Sequence, residues 1–294
     1  MTIRIATRGS KLALWQANHV AQLLKDKGLN SKLVIVSTQG DRVQDRFLHE
    51  MGGKGVFIRE LEQSLQRGEA DCAIHSLKDL PAVTPDGFEL VTYLPRHACT
   101  DTLILKQDKL PKTPVNIEHL KSLGPLCIAT GSLRRTRLLQ EQCPKIKVVP
   151  IRGNVDTRIQ KLKDSTEWDG LILATASLQR LQLNPHYHQV IDPEWFVPSA
   201  SQGILAIETL ADKAHPVFKQ LNDTKTQFAA EVERGMLAAL GGDCTLPIGV
   251  HYTEQETKAF LYRDGTYYRA RIQSRKKVEE NIHALMDSLE LSSK

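Results

Sequence analysis

Arginines recur in this 294-residue chain where apolar runs give way to helical patterns, at Arg8, Arg134, Arg135, Arg152, Arg158 and Arg180. A helix start offers unpaired backbone N–H groups and the positive end of a dipole, and a guanidinium adds a two-pronged donor matched to carboxylates and phosphates. Ser10, Thr130 and Ser132, beside Arg8, Arg134 and Arg135, therefore read as anion cradles. Taken singly, each arginine is as well explained as a solvated surface residue, and it is the recurrence that points to a ligand. Six arginines exceed what one phosphate or one amino acid needs, whereas a ligand with many separate carboxylates would use them all.

Two further places carry chemistry. The segment HSLKDLP sets Ser76, Lys78 and Asp79 at the end of a short apolar run. An aspartate there is ordinarily a turn or N-cap residue, but beside a lysine in basic surroundings its carboxylate could stabilise a developing cation or move a proton. Cys244, in LGGDCTLPIG, follows two glycines and precedes a proline, so its thiol belongs to a turn where it can be reached and could anchor a group covalently. The spacing does not say what it would hold, and an unreactive surface thiol is the plainer reading. The other cysteines (Cys72, Cys99, Cys127, Cys143) read as small buried groups or inert positions.

These residues need elements that bring them to one place. A short β-rich run over 3–7 leads through Arg8-Gly9-Ser10 into a helical pattern over 12–25, and 126–130 leads through Gly131-Ser132 into 133–141. The openings IATRGSKLALWQ and IATGSLRRTRLL echo each other, which hints at two similarly built α/β lobes. Further strand-turn-helix units run from 147–151 into RGNVDTRIQKL and from 170–173 into ATASLQRL, and a strand at 71–74 ends in HSLKDLP. In open α/β sheets ligands bind beyond the carboxyl ends of the strands, where all these turns lie. Passages between lobes are expected at 96–102 and 195–202, with a cleft between the lobes. Beyond 224 the pattern changes to a helix at 227–240, short strands such as 266–272 and a last helix at 277–289, a small α+β domain.

Composition narrows the class. Hydrophobic residues at 41% and charged residues at 25% fit a globular protein able to bury real cores, and a net charge of +5 is mild. No signal-peptide pattern opens the chain and no apolar run is long enough to span a bilayer, so the cytoplasm is expected. The five cysteines are odd in number and contain no CxxC, so neither a disulfide framework nor a metal site is indicated. HExxH, GxGxxG and GxSxG are absent, and the GGKG ending at Gly55 is no P-loop. With the charged stretch 41–50 before it, GGKG reads as the tip of a mobile lid.

Through RIATRGSKLALWQA, GGKGVFIRELE, HSLKDLP, GSLRRTRLL, RGNVDTR, ASQG and GGDCTLPIG, the chain resembles the hydroxymethylbilane synthase (porphobilinogen deaminase) family from its start to about residue 250. The resemblance implies two α/β domains built like periplasmic binding proteins and a small α+β C-terminal domain, apportioned as 1–98 with 199–221, then 99–198, then 222–294. It implies a monomeric cytoplasmic transferase, with no nucleic-acid or membrane partner, that joins four porphobilinogen molecules head to tail on a dipyrromethane cofactor and releases the linear tetrapyrrole by hydrolysis. By the same resemblance Cys244 carries the cofactor through a thioether and Asp79 is the catalytic carboxylate. Ser76, Lys78, Thr130, Ser132, Arg134, Arg135 and Arg158 match cofactor ligands, while Arg8, Ser10, Arg152, Arg180 and Gln202 match substrate ligands. Lys54 matches the lysine of the family's mobile loop. Each pyrrole ring brings two carboxylates, which would account for the arginines. Two departures stand out: Asp243 replaces a glycine before the cysteine, and RGNVDTR stands for the familiar RGNVGTR or RGNIDTR, a variation to be expected; the tail beyond 250 is shorter than in many relatives. A solute-binding protein would share the lobes and the anion cradles without explaining Cys244, and a transferase handling phosphate would use the arginines differently.

Overall fold

The computed structural model describes residues 2–36, 55–241 and 246–291. Lys54, the stretch 41–50 and Cys244 therefore lie outside the described residues. The chain forms two compact units, Met1–His97 with Ile204–Ala230, and Ala98–Gly203 with Glu231–Lys294.

In the first unit, β1 (Thr2–Arg8) lies parallel to β2 (Asn30–Val36) and β3 (Cys72–Ser76). Then β10 (Leu205–Leu210) runs antiparallel between β3 and β4 (Phe88–Tyr93), giving the order β2-β1-β3-β10-β4. Ile3 and Ile5 alternate inward from β1, and helix α1 (Lys11–Asp26) lays Ala17, Val20 and Leu24 over them at helical spacing. Ser10 starts that helix, its hydroxyl accepting from the Ala13 N–H at 3.3 Å. Helix α2 (Gly55–Gln66) follows. Gly55, expected in a loop tip, opens this helix.

The second unit repeats the plan. Strand β6 (Cys127–Ala129) is parallel to β7 (Lys147–Val149) and β8 (Gly170–Ala174), and β5 (Asp101–Leu105) runs antiparallel between β8 and β9 (Tyr187–Val190). The order β7-β6-β8-β5-β9 is that of the first sheet strand for strand, β10 and β5 being the antiparallel strands that follow a passage between units. Around the sheet lie α3 (Ile117–Ser122), α4 (Leu133–Gln142), α5 (Val155–Asp164) and α6 (Thr175–Arg180). The echo between residues 5–16 and 128–139 is thus an echo of architecture: strand, small-residue turn, serine N-cap, helix.

A short helix, α7 (Val217–Leu221), and a long one, α8 (Thr224–Ala239), lead to an antiparallel sheet of β11 (Ile248–Tyr252), β12 (Glu256–Arg263) and β13 (Thr266–Gln273), closed by α9 (Val278–Leu291). Asp264 and Gly265, both at positive φ, make the tight turn between β12 and β13, the geometry whose twist matches paired strands. Met236, Val250, Leu261, Ala270, Leu285 and Leu289 fill a separate core here. The chain passes between units at 97/98, inside the expected segment, and at 203/204, one residue beyond the other. A third passage, at 230/231, falls within α8.

Candidate active site

In the first unit the parallel register of β1 and β3 pairs Ile5 with Cys72 and Ala6 with Ala73, so both strands end at one sheet edge. That edge gathers Arg8, the N-cap Ser10, and Ser76 with the residues after it. Ser76 accepts from Gln16 Nε2 at 2.7 Å, tying β3 to α1. The chain then turns through a single 3-10 turn, Leu77–Asp79, with Leu77 buried as its anchor and Lys78 and Asp79 half-buried. Behind the turn, His75 Nε2 lies 2.8 Å from Glu208 Oε2 on β10, and both side chains are buried. Glu62 of α2 is buried near them, and its pKa is raised by burial and by the Glu208 charge.

In the second unit β6, β7 and β8 end at one edge for the same reason. Thr130 is buried and its hydroxyl accepts from the Ser132 N–H at 3.2 Å. Ser132 caps α4, and Gly131 between them is required because a Cβ there would stand 2.7 Å from the Ile151 carbonyl oxygen. Arg152 is half-buried after β7, and Arg158, one turn into α5, donates through Nε to the Gly153 carbonyl at 2.7 Å. Arg180 at the end of α6 is buried, with Nη2 donating to the Gly203 carbonyl at 2.8 Å.

Arg134 and Arg135, read from sequence as open ligand donors, are both buried and both engaged inside the unit. Arg134 donates from Nη2 to Asp101 Oδ2 and from Nη1 to the Val197 carbonyl, each at 2.7 Å. Arg135 donates to Asp101 Oδ1 from Nε at 3.0 Å and Nη2 at 2.7 Å, and from Nη1 to the Ile172 carbonyl at 2.9 Å. Gln202 Nε2 reaches the same oxygen at 3.0 Å and the Cys99 carbonyl at 2.6 Å. Burial alone would raise the Asp101 pKa, but the two guanidinium groups and the amide hold it well below the usual carboxylate range. Burial lowers the Arg134 pKa, with Asp101 opposing.

One carboxylate faces two guanidinium groups, so the cluster carries excess positive charge. Arg134 Nε is buried with no acceptor among the described residues. A buried, unsatisfied charged donor is costly unless an anion completes it. Asp101 is the residue that the sequence reading missed. Its signal was there: an acidic residue heading the largely apolar run TLIL implies a buried partner of opposite charge.

A family model described as "Porphobilinogen deaminase, dipyromethane cofactor binding domain" matches residues 3–217. A porphobilinogen deaminase of Nitratidesulfovibrio vulgaris is 40% identical over 268 residues, 90% of this chain and 79% of that one. A porphobilinogen deaminase of Nitratiruptor is 42% identical over 90% of this chain and 82% of that one. A probable porphobilinogen deaminase of Methanosarcina acetivorans is 39% identical over 83% of this chain and 75% of that one. Among solved structures, a methionine-binding protein matches at a TM-score of 0.45 and 14% identity, over 82% of this chain and 94% of that one.

Proposed function

The chain belongs to the porphobilinogen deaminase family, and from that membership and the charge of its strand-end residues we propose how it works on porphobilinogen. It is a transferase that uses a dipyrromethane cofactor. The reaction joins four porphobilinogen units, each losing ammonia, and water releases the linear tetrapyrrole.

The residues fit a group bearing two carboxylates on each pyrrole ring. Arg8, Lys78, Arg134, Arg135, Arg152, Arg158 and Arg180 bring positive charge to the segments that follow the strands. The observation that carries the reading is the buried excess at Asp101, where Arg134 Nε has no acceptor among the described residues. An acidic side chain seated there satisfies it. Arg135, with donors on Asp101 and Ile172, braces the site, and Gln202 fixes Asp101 from behind.

When bound, dipyrromethane supplies the pyrrole carbon on which the growing chain is extended. Cys244 would hold it through a thioether. Ser76, Lys78, Thr130, Ser132, Arg134 and Arg158 would hold the cofactor's acidic side chains, with Arg135 bracing Arg134 through their shared Asp101, and Arg8, Ser10, Arg152 and Arg180 would hold those of the incoming substrate. Asp79 accepts the pyrrole N–H and stabilises the positive charge that develops as ammonia leaves the substrate, because basic residues gathered for carboxylates would otherwise disfavour a cation. The same carboxylate assists loss of the ring proton after the carbon–carbon bond forms. Lys54 is assigned the part of the lysine that it matches in the family's motif. The three-stranded sheet with its helices acts as a third domain, 222–294, beside domains at 1–98 with 199–221 and at 99–198. The enzyme is a cytoplasmic monomer that needs no nucleic acid or membrane; among the described residues no helix is long and apolar enough to cross a membrane.

The test is turnover of porphobilinogen with no nucleotide present. The reading expects ammonia release and a linear tetrapyrrole. Porphobilinogen left unconsumed by protein that retains its fold would overturn it.

A further inference from the structure

Within the second unit, a nucleophile, a base and a carboxylate lie in line outside the residues assigned above. Cys99 Sγ is 3.7 Å from His251 Nε2, although the two residues are 152 positions apart. The other ring nitrogen, Nδ1, is 3.5 Å from Glu233 Oε1, close enough for charge interaction but without hydrogen-bond geometry. Glu233 is wholly buried on α8 and is fixed by two backbone donors, Ser201 N–H at 2.5 Å on Oε2 and Tyr252 N–H at 2.9 Å on Oε1. A carboxylate held that close to an imidazole favours its cation, and an imidazolium beside a thiol favours the thiolate. Burial works against a charged His251, yet its contacts and charge interactions with Cys99 and Glu233 raise its pKa to about 9.

Position adds access. Cys99 is half-buried, whereas Cys72 and Cys143 are buried with thiol pKa values pushed up by desolvation. Cys127 is equally half-buried, but burial is the largest influence on its thiol and raises its pKa. The backbone of Cys99 is held by Gln202, so the sulfur is presented from a fixed segment.

We propose that Cys99 is a covalent modification site, a thiolate set against His251 and steadied through it by Glu233, whose co-reactant is a hydroperoxide. The thiolate attacks the terminal oxygen of the hydroperoxide, the S–O bond forms and the O–O bond breaks. Sulfur is oxidised by two electrons to sulfenic acid while the peroxide is reduced. The departing alkoxide or hydroxide takes its proton from the His251 imidazolium, leaving a neutral imidazole and an alcohol or water. This goes beyond the assembly of pyrroles and uses none of its residues.

The experiment treats the cofactor-loaded enzyme with dilute hydrogen peroxide at neutral pH, traps sulfenic acid with dimedone, and measures each cysteine peptide by mass spectrometry. Cys99 is expected to carry the adduct at least about tenfold faster than Cys127, as an activated thiol does against an unactivated one. In His251→Gln the Cys99 rate should fall by about that factor, with Cys127 unchanged. Equal labelling of Cys99 and Cys127 in the wild type overturns the proposal, and so does a Cys99 rate unaffected by His251→Gln. The wild-type comparison decides even if the variant does not fold.

Discussion

Asp101 and Arg134 form an ion pair of 2.7 Å in which neither side chain is more than 4% exposed. Arg135 shares the same carboxylate. Removing one partner of such a cluster leaves uncompensated buried charge, which costs about 3–5 kcal/mol. Asp101→Asn is therefore expected to lower the unfolding free energy by about 3 kcal/mol or more in urea titration, and to reduce cofactor occupancy because both guanidinium groups lose their anchor. A loss below about 1 kcal/mol would mean that the arginines are held by other means.

Asp101 also sets an acid limit. Its folded pKa lies below its unfolded value of about 3.9, so its stabilising contribution is fully present above that value and is lost as pH falls through the folded pKa. The stability difference between wild type and Asp101→Asn should hold constant from neutral pH to about pH 5 and shrink below about pH 4. Chemical denaturation across that range reads it directly, and a difference that grows on acidification would have the wrong sign.

Local signals in the sequence were legible and long-range ones were not. Ser10 and Ser132 stand just before the helical patterns expected from 12 and 133, and each caps its helix, since an N-cap acts on N–H groups two or three residues away. The duplicated strand-turn-helix plan was visible for the same reason. Asp101 escaped because its partners lie 33 and 34 residues on, brought to it only when β5 enters the sheet beside β8. Without that pairing, Arg134 and Arg135 look like free ligand donors. Gly55 misled because glycine at a helix start carries no N-cap side chain to mark it. The third passage between units, at 230/231, lies nine residues beyond the expected boundary at 221/222, because α8 runs through it unbroken and leaves no turn residues to mark it. Cys244 and Lys54, plain in the sequence as motifs, lie outside the described residues.

Glu62 offers a prediction of opposite sign. Its folded pKa is raised by burial and by Glu208, so the native state favours its protonated form below the unfolded pKa and loses that advantage as pH rises through the folded one. At pH 7 the buried carboxylate is a liability that an amide of the same shape lacks. Glu62→Gln should raise the melting temperature at pH 7, and the gain should shrink toward pH 4. A lowered melting temperature at neutral pH would show that Glu62 is paired and useful when ionised.

Asp79→Asn keeps size and much of the hydrogen bonding but removes the negative charge that offsets the basic surroundings. Single-turnover kinetics should show porphobilinogen still bound and the bond-forming step slowed by at least about a hundredfold, the range of a lost acid–base or electrostatic group. Wild-type rates in this variant would remove Asp79 from the chemistry.

The central claim, that Cys244 carries a dipyrromethane on which porphobilinogen is assembled, is tested most directly by intact mass spectrometry of the purified protein before and after porphobilinogen is added. The wild-type chain should weigh more than its sequence by one dipyrromethane and then show a ladder of single-pyrrole additions. Cys244→Ser should show neither, since a serine oxygen is a far poorer nucleophile than a thiolate. A wild-type mass equal to the sequence, with no ladder on addition of porphobilinogen, would contradict the account.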